Sequence, residues 1–325
     1  MRRATHIFAI RIAGVLLTIA ALPTPAFDLE GHRGTRGLMP ENTLAAFNRA
    51  IAIGVTTLET DIAVTRDGVL VISHDPFLNP DVVRGPDGRW LAAKGPPIHA
   101  LTLAELQRYD IGRLDPESKY ARQFPQQTAV DGQRFPTLAE VFALVRAAPQ
   151  PVRLNLETKI TPTSAGETVD ATTFARLVVD AIRGAQMTSR ATIQSFDWRT
   201  LVESKRLAPE IETACLTIET PNFDTVQSKS DKPSPWLAGL LLSKVGNSLP
   251  RLVKAAGCAI WSPFWRNASP ALVAEAHALG LKVLPWTVND PVDIAAQIEA
   301  GADGIITDYP DRARTVMGAK GIPLP

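Results

Sequence analysis

The chain has 325 residues, of which 45% are hydrophobic and 21% are charged. This is the length and composition of one large α/β domain or two small ones, with enough apolar residues for a sizeable core. The 34 Lys and Arg residues nearly balance the 33 Asp and Glu residues, which argues against nucleic acid as a partner because nucleic-acid-binding proteins usually carry a basic excess.

The first 26 residues are expected to be a signal peptide rather than part of the fold. Basic residues at positions 2–3 precede a mostly apolar stretch over 7–22, and the segment ends on the small residue Ala26. This order is typical of a secretory signal. An uncleaved anchor is the alternative, although the apolar run after Arg11 is short for a membrane span. We therefore expect residues 27–325 to be exported, periplasmic or secreted, with no stable membrane insertion after cleavage.

A strand, a helix over residues 42–54 and a hairpin are the first elements predicted after residue 26. The Asp-Gly pair at 67–68, between alternating apolar runs, is a strong signal for a two-residue hairpin loop. With that loop, Asp61 pairs with His74, and both share one face with Glu59 because side chains alternate along a strand. A charged edge hairpin with an incidental histidine is the alternative, and a register shift of one residue would move His74 to the opposite face.

Residues 76–136 interrupt the regular pattern. The segment is rich in Pro, Gly, Asp and Arg, and only a short helix near Leu101–Tyr109 is predicted within it. We expect it to be an insertion over one mouth of the domain, since long loops of this kind are usually functional. An exposed apolar rim in this segment would favour a lipid substrate, but the segment is mostly polar.

From Thr137 onward, predicted strands alternate with predicted helices. The strands are expected at 151–159, 191–196, 211–218, 282–288 and 304–308, and the apolar runs at 237–243 and 258–263 are less certain candidates. Alternation of this kind indicates a parallel sheet. With eight or nine candidate strands and no GxGxxG motif, the pattern favours a TIM-type (β/α)8 barrel with a small insertion after the third strand.

Polar side chains gather at the predicted strand ends, where the chemistry of such barrels is located. Glu59, Asp61 and Glu157 offer hard oxygen ligands and no cysteine accompanies them, which favours Ca²⁺ or Mg²⁺ over Zn²⁺. A salt-bridge network without a metal is the alternative. The residues at these ends are His32, Arg33, Glu59, Asp61, His74, Glu157, Lys159, Gln194, Trp286 and Asn289.

Two histidines and two cationic side chains accompany the acidic residues. His32 and His74 both fall at strand ends, and a pair of imidazoles suits acid–base work near neutral pH. Arg33 and Lys159 can donate hydrogen bonds to an anionic group. A cation, two histidines, an arginine and a lysine around one pocket describe a phosphoester site.

Cysteine occurs only at Cys215 and Cys258, both in apolar, strand-like runs. Export would permit a disulfide between them, but two buried free thiols are at least as compatible with their surroundings. Two cysteines that far apart in the sequence do not form a zinc motif.

The order of short motifs along the chain resembles that of the glycerophosphodiester phosphodiesterases. HRG alone is a weak signal, whereas the ordered set, from about Leu29 to Asp311, is highly specific. Thr60 and Thr158 depart slightly from the family pattern, in which apolar residues are common, and neither departure removes a ligand. The motifs are HRG, ENT, ETD, DG, HD, LETK, QSFD and WTVN.

The resemblance implies a TIM-type barrel, one divalent cation that is Ca²⁺ rather than Mg²⁺, and a small-molecule glycerophosphodiester substrate. Core packing is an alternative role for Phe196. The implied roles are cation binding by Glu59, Asp61 and Glu157, acid–base catalysis by His32 and His74, substrate binding by Arg33, Lys159, Gln194, Phe196 and Trp286, and orientation of His32 or Arg33 by Glu41.

The expected activity is metal-dependent hydrolysis of deacylated phospholipids to sn-glycerol 3-phosphate and an alcohol. A related phosphodiesterase acting on lysophospholipids is one alternative. A catalytically inactive periplasmic binding barrel is the other, and it would require the loss of a histidine or a carboxylate, none of which is missing from the sequence.

Overall fold

The computed structural model of the protein describes residues 27–163 and 166–325, so the predicted signal peptide lies outside the described residues. Within them, no helix is both long and apolar enough to cross a membrane. The strands are β1 (Asp28–Gly31), β2 (Thr57–Val64), β3 (Leu70–Ile72), β4 (Arg153–Thr158), β5 (Ala191–Ser195), β6 (Glu212–Thr217), β7 (Ile260–Pro263), β8 (Lys282–Val283) and β9 (Gly304–Thr307).

Eight of these strands run parallel, in the order β8-β7-β6-β5-β4-β2-β1-β9. Backbone hydrogen bonds bridge the remaining seam: the N–H of Ile306 donates to Pro285 O and the N–H of Val288 donates to Ile306 O, both at 3.0 Å. The predicted TIM-type (β/α)8 barrel is confirmed. The helices are α1 (Leu44–Ile53), α2 (Leu103–Leu106), α3 (Leu138–Ala147), α4 (Ala171–Gly184), α5 (Trp198–Leu207), α6 (Leu249–Ala255), α7 (Pro270–Ala278), α8 (Pro291–Glu299) and α9 (Pro310–Ala319).

Alternation of side chains along the strands separates the apolar core from the polar interior of the barrel. Leu58 and Ile62 of β2 belong to the large apolar cluster between the strands and the helices. Glu59 and Asp61, at the intervening positions, are buried on the opposite face. The sequence pattern that builds the core therefore also directs acidic residues into the barrel.

The register of the β2–β3 hairpin differs by one residue from the prediction. Ile62 pairs with Ile72, and the N–H of Ser73 donates to Asp61 O at 3.0 Å, so Asp61 lies opposite Ser73 rather than His74. The cause is a three-residue loop that ends on Gly68, whose φ of 79° lies in the left-handed region; such loops place a glycine at this position. His74 lies beyond the end of β3, where strand alternation no longer decides its direction.

Residues 76–136 pack against the hairpin on the face that carries Ala63 and Val71, which by alternation is also the face of Glu59 and Asp61. They contain α2 and two short 3₁₀ turns, at Ile98–Ala100 and Ala121–Gln123. A second apolar cluster joins the segment to the hairpin strands, so the segment has a small core of its own. The cluster consists of Ala63, Val71, Leu78, Val83, Ile98, Leu106, Ile111 and Phe135.

Of the two apolar runs that were further candidates for strands, only one forms a strand. Residues 258–263 supply β7, whereas the run at 237–243 is not a strand and is followed by a 3₁₀ turn at Leu242–Val245. Cys215 of β6 and Cys258, just before β7, form a disulfide with their Cα atoms 6.0 Å apart. Of the two states that the sequence permits for these cysteines, the structure has the bonded one.

Candidate active site

Three buried carboxylates meet on neighbouring strands of the barrel. Asp61 and Glu157 occupy paired positions on β2 and β4, and Glu59 lies two residues before Asp61 on the same face of β2. One oxygen from each carboxylate lies within 4.8 Å of the others. Each of the three residues is at most 7% exposed, so water screens their mutual repulsion poorly.

Two cationic side chains contact this carboxylate cluster. Lys159 Nζ lies 2.8 Å from Glu157 Oε1 and 3.6 Å from Asp61 Oδ1, and Arg33 Nε lies 3.4 Å from Asp61 Oδ2. Burial, with the charge of Asp61, raises the pKa of Glu59 and of Glu157 above the usual range. At Asp61, Lys159 and Arg33 outweigh burial and hold the pKa below its ordinary value. Full ionisation of all three acids therefore calls for additional positive charge.

An unpaired oxygen at the cluster fits a bound cation. Among the described residues, Asp61 Oδ1 is buried without a hydrogen-bond partner, and Lys159 Nζ is 3.6 Å from it. Arg33 Nε is also buried without a hydrogen bond, and as a donor it suits an anion rather than a cation. A buried acceptor without a partner is costly, and a cation in contact with Asp61 would offset that cost. Carboxylate oxygens are the ligands that Ca²⁺ and Mg²⁺ prefer. The residues present thus fit a hard divalent cation held by Glu59, Asp61 and Glu157.

His32 follows β1 and is held by a carboxylate from the last strand. Its Nδ1 lies 2.7 Å from Oδ1 of Asp308, which also accepts a hydrogen bond from Arg36 Nε at 2.8 Å. Because a carboxylate only accepts, Nδ1 carries the proton of the neutral ring and Nε2 presents its lone pair; Nε2 lies 3.9 Å from Glu59 Oε2. Burial, together with Arg36, lowers the pKa of His32 to about 4, which keeps the ring neutral at pH 7.

His74 lines the same cavity as His32 and has a similar carboxylate partner. Its Nδ1 lies 3.0 Å from Asp75 Oδ1, while Asn79 Nδ2 donates to Asp75 Oδ2 at 2.6 Å. The His74 side chain is 33% exposed, against 12% for His32. Burial, followed by the charge of Arg33, lowers the pKa of His74 below its ordinary value. The two imidazoles line one cavity, as expected from their positions at strand ends, whereas the hairpin register predicted for His74 is wrong.

Glu41 contacts Arg33 and not His32. Arg33 Nη1 donates to Glu41 Oε1 at 2.7 Å, and the Tyr120 hydroxyl donates to the other oxygen of Glu41. The φ of Arg33 is 49°, a left-handed conformation that is uncommon outside glycine. In this conformation its backbone N–H donates to Glu59 Oε2 at 2.9 Å. Arg33 therefore joins the carboxylate cluster to residues 76–136, which supply Tyr120.

A chain of hydrogen bonds runs through the barrel interior from Glu30 to Glu59. Asn155 Nδ2 donates to Glu30 Oε2 at 2.8 Å and to Gln194 Oε1 at 3.0 Å. Gln194 Nε2 donates in turn to Glu59 Oε1 at 2.8 Å. Gln194 also lines the cavity, but both ends of its amide are bonded to neighbouring side chains, and its predicted contact with substrate stays a prediction.

Replacing Glu30 with glutamine is expected to raise the free energy of unfolding at pH 8. Burial, with the charge of Asp28, raises the pKa of Glu30 to about 8, so between about pH 4.5 and 8 the native state keeps a proton that the unfolded state releases. Stability from this group therefore falls as the pH rises through that window, by at most about 5 kcal/mol. Urea denaturation at pH 5, 6.5 and 8 measures the free energy of unfolding of both proteins. The same change of this free energy with pH in wild type and Glu30→Gln would contradict the assignment.

The carboxylate cluster and the histidines line a cavity of about 240 Å³. One side is charged and is supplied by β1, β2, β4 and the residues that follow β3. The opposite side is apolar and includes Phe196, Leu216, Trp286 and Ile306. The rings of Phe196 and Trp286 meet edge to face, 5.2 Å apart. The cavity can therefore hold a molecule that has one anionic and one apolar part.

The structure brings all the residues predicted for the site together, although their chemical roles stay predictions. Asp61 and Glu41 contact residues of the cavity wall. Three further residues that the sequence analysis did not identify are Asn42, whose Nδ2 donates to Asp61 Oδ2 at 2.8 Å, Asp308 and Tyr120. The predicted residues that line the cavity are His32, Arg33, Glu59, His74, Glu157, Lys159, Gln194, Phe196 and Trp286.

Comparison with known proteins finds curated relatives that are named glycerophosphodiester phosphodiesterases. A glycerophosphodiester phosphodiesterase of Caldanaerobacter subterraneus is 29% identical over 280 residues, which cover 86% of this chain and 93% of the relative. One from Bacillus altitudinis is 28% identical over 287 residues, 87% of this chain and 94% of that protein.

Two solved structures that resemble this chain are also described as phosphodiesterases. A Silicibacter pomeroyi protein assigned to the glycerophosphoryl diester phosphodiesterases superposes with a TM-score of 0.81 at 35% identity, covering 93% of this chain and 96% of that one. An Oleispira antarctica phosphodiesterase, solved with the product sn-glycerol-3-phosphate, shares the fold at 24% identity and a TM-score of 0.65, covering 90% of this chain and 96% of that one.

The family model of the glycerophosphoryl diester phosphodiesterases matches residues 32–312. This range begins at His32, includes both histidines and all three carboxylates of the cluster, and ends after Asp308. The match thus includes every strand of the barrel except β1, and every side chain that lines the cavity. The chain belongs to the glycerophosphoryl diester phosphodiesterase family, whose members are phosphoric diester hydrolases.

Proposed function

We propose that this chain hydrolyses glycerophosphodiesters to sn-glycerol 3-phosphate and an alcohol, in a reaction that requires a divalent cation. The observation that carries the proposal is the meeting of three buried carboxylates with two carboxylate-backed histidines in one cavity. Buried carboxylates without a cation are costly. A barrel that only bound a ligand would not need to keep this set together with two histidines. The names of the curated relatives support the same activity.

The charged side of the cavity suits the phosphate. Arg33 and Lys159 can donate to its oxygens, and the unpartnered Nε of Arg33 is one such donor. A divalent cation held by Glu59, Asp61 and Glu157 would supply neutralisation of the phosphate charge. We favour Ca²⁺ over Mg²⁺, because Mg²⁺ usually keeps several waters whereas Ca²⁺ accepts a ligand set rich in carboxylates.

We assign the proton acceptor to His32 and the proton donor to His74. Asp308 shares its charge between His32 and Arg36, so it stabilises an imidazolium at His32 less than Asp75 does at His74, whose other partner is the neutral Asn79. His32 Nε2 accepts the proton of the attacking water or glycerol hydroxyl as its oxygen bonds to phosphorus. The bond from phosphorus to the alcohol oxygen breaks, and His74 protonates that oxygen. Attack by water gives glycerol 3-phosphate directly. Attack by the hydroxyl gives a cyclic phosphate, which a water molecule then opens to glycerol phosphate, with His74 as proton acceptor and His32 as proton donor.

A substrate panel tests the activity. Purified protein is given glycerophosphocholine, glycerophosphoethanolamine and glycerophosphoglycerol with Ca²⁺, with Mg²⁺ or with excess EDTA, and the release of glycerol 3-phosphate is followed. We expect turnover with Ca²⁺, less with Mg²⁺ and none with EDTA. Full activity in EDTA would refute the cation, and the absence of turnover on every diester would refute the proposed function.

We also propose that the protein is exported. The pattern of residues 1–26 supports this, and so does the Cys215–Cys258 disulfide, because disulfides persist mainly in oxidising compartments. The intact mass of protein recovered from the periplasm or the medium is expected to lack these 26 residues. A retained Met1 would contradict cleavage.

A further inference from the structure

Four aromatic rings form a continuous patch beside the cavity, which we call the aromatic patch: Phe196, Phe223, Trp236 and Trp286. The ring centroid of Phe196 lies 5.2 Å from that of Trp286, 5.8 Å from that of Phe223 and 6.4 Å from that of Trp236. Phe223 and Trp236 are 5.5 Å apart and also meet edge to face. Phe196 and Trp286 line the cavity, so the patch extends from the cavity wall to the surface.

The outer half of the patch is partly open to solvent, with Phe223 exposed and Trp236 half-buried. Phe223 is 41% exposed, and it is the only aromatic residue among the large hydrophobic residues exposed in the described part of the chain. Exposing a ring forgoes the free energy that its burial would provide. Contiguous exposed apolar surface of this kind marks a binding site more often than it serves the fold.

Local hydrogen bonds hold the two outer rings in position. The N–H of Phe223 donates to Thr220 Oγ1 at 3.1 Å, and the N–H of Thr220 donates to Phe223 O at 3.0 Å. Trp236 follows the buried Ser234, whose hydroxyl donates to Thr225 O at 2.6 Å. The rings are therefore presented by ordered turns, which lowers the entropy cost of binding a ligand.

The direction of the patch selects the part of the substrate that it can meet. In the proposed function the phosphate lies on the charged side of the cavity, and the glycerol carbons are then expected against the apolar side at Phe196 and Trp286. Phe223 and Trp236 continue that apolar side outward. A group attached to the glycerol would follow the patch, whereas the alcohol on the other side of the phosphate would not.

We propose that the aromatic patch binds the acyl chain of a monoacylated glycerophosphodiester, which makes lysophospholipids substrates of this site. The inference rests on the proposed function and narrows its substrate class. The rings are uncharged and cannot pair with an anion, but they can remove methylene groups from water. An apolar rim beside the cavity was expected, if anywhere, in residues 76–136, and the structure has it instead between β6 and α6 and at the ends of β5 and β8.

A chain-length series tests the proposal. The values of kcat/KM are measured for glycerophosphocholine and for lysophosphatidylcholines with acyl chains of 6, 8 and 10 carbons, below the concentrations at which micelles form. We expect kcat/KM to increase with chain length and to reach at least tenfold that for glycerophosphocholine, because withdrawing two or three methylenes from water is worth about that factor. Values that stay level or fall with chain length would overturn the proposal.

Two substitutions identify the surface responsible. Phe223→Ser is expected to lower the ratio of kcat/KM for the ten-carbon lysolipid to that for glycerophosphocholine at least fivefold. Val292→Ser, which changes another exposed apolar residue on α8 (75% exposed), is the matched control and is expected to leave the ratio unchanged. An unchanged ratio in Phe223→Ser would overturn the assignment of the patch.

Two further outcomes separate the competing explanations. If the effect of Phe223→Ser followed the head group, choline against ethanolamine at one chain length, the patch would bind the alcohol and the acyl proposal would be wrong. If wild-type protein hydrolysed glycerophosphocholine but no lysolipid, this inference alone would fail. If it hydrolysed neither, the proposed function would fail with it.

Discussion

Replacing His32 with alanine is expected to lower kcat by at least ~10²-fold, the usual contribution of general acid–base catalysis. The ring donates its Nδ1–H to Asp308 and presents its Nε2 beside the carboxylate cluster. The alanine variant therefore lacks the proposed proton acceptor. Because the variant keeps the carboxylates and the cationic side chains, KM is expected to change much less than kcat. Steady-state kinetics on glycerophosphocholine provide both values.

The matched control is His277→Ala. His277 on α7 also contacts a carboxylate, with Nε2 2.9 Å from Asp303 Oδ2, but Asp303 precedes β9 and lies at the opposite end of that strand from Asp308. We expect near-normal turnover from this variant. Near-normal turnover in His32→Ala as well would remove His32 from the mechanism.

Replacing Glu59 with glutamine is expected to weaken cation binding more than ~10²-fold, since even residues that only support the ligands of a metal commonly cost 10–100-fold when changed. The same substitution is expected to stabilise the cation-free protein by about 1–3 kcal/mol, because burial and the two neighbouring carboxylates oppose the ionisation of Glu59 in the folded protein. This gain exceeds the cost of the one hydrogen bond that a glutamine cannot accept from Arg33 or Gln194. The variant thus exchanges function for stability. Calorimetric titration with Ca²⁺ and thermal melts in EDTA measure the two effects separately.

A control variant and the addition of Ca²⁺ test whether the effects are specific to Glu59. Glu299→Gln, on the exposed surface of α8, is the control and is expected to change neither quantity beyond error. Wild-type protein is expected to gain thermal stability on addition of Ca²⁺, whereas Glu59→Gln is not. A variant that still gains stability from Ca²⁺ as the wild-type protein does would show that Glu59 is not a ligand, and one that loses stability in EDTA would contradict the predicted gain in stability.

The barrel and the carboxylate cluster could be predicted because both depend on local rules. Alternation along β2 puts Glu59 and Asp61 on one face, and parallel pairing with β4 brings Glu157 to the same level. The first step is local, and the second follows from the barrel topology, in which β4 is a parallel neighbour of β2. The rule that strand ends collect in one place at the top of a barrel supplies the rest.

The position of His74 shows the limit of such rules. The hairpin loop has three residues instead of two, which by itself would turn His74 away from Asp61. The strand ends at Ile72, however, and the turn that follows is held by Ser73, whose hydroxyl donates to Asp75 O at 2.9 Å. His74 lines the cavity because of this turn, which the sequence pattern does not reveal.

Partners supplied from far along the chain were missed for a related reason. Asp308 is 276 residues away from His32, and only its position at the end of the last strand could have marked it. Tyr120 lies in a segment without regular periodicity and reaches Glu41 across 79 residues. Contacts of this kind are decided by tertiary packing, which propensity and spacing do not encode.

The link between Cys215 and Cys258 turns residues 216–257 into a closed ring of polypeptide, and both Phe223 and Trp236 are on that ring. A protease that cuts it once leaves one covalent molecule, whose two pieces separate only after a thiol reagent is added. Insertions or substitutions within residues 216–257 likewise leave β6 and β7 joined by the disulfide. The segment that carries Phe223 and Trp236, and with them the proposed lipid selectivity, is thus also a segment whose sequence can change with little effect on the barrel.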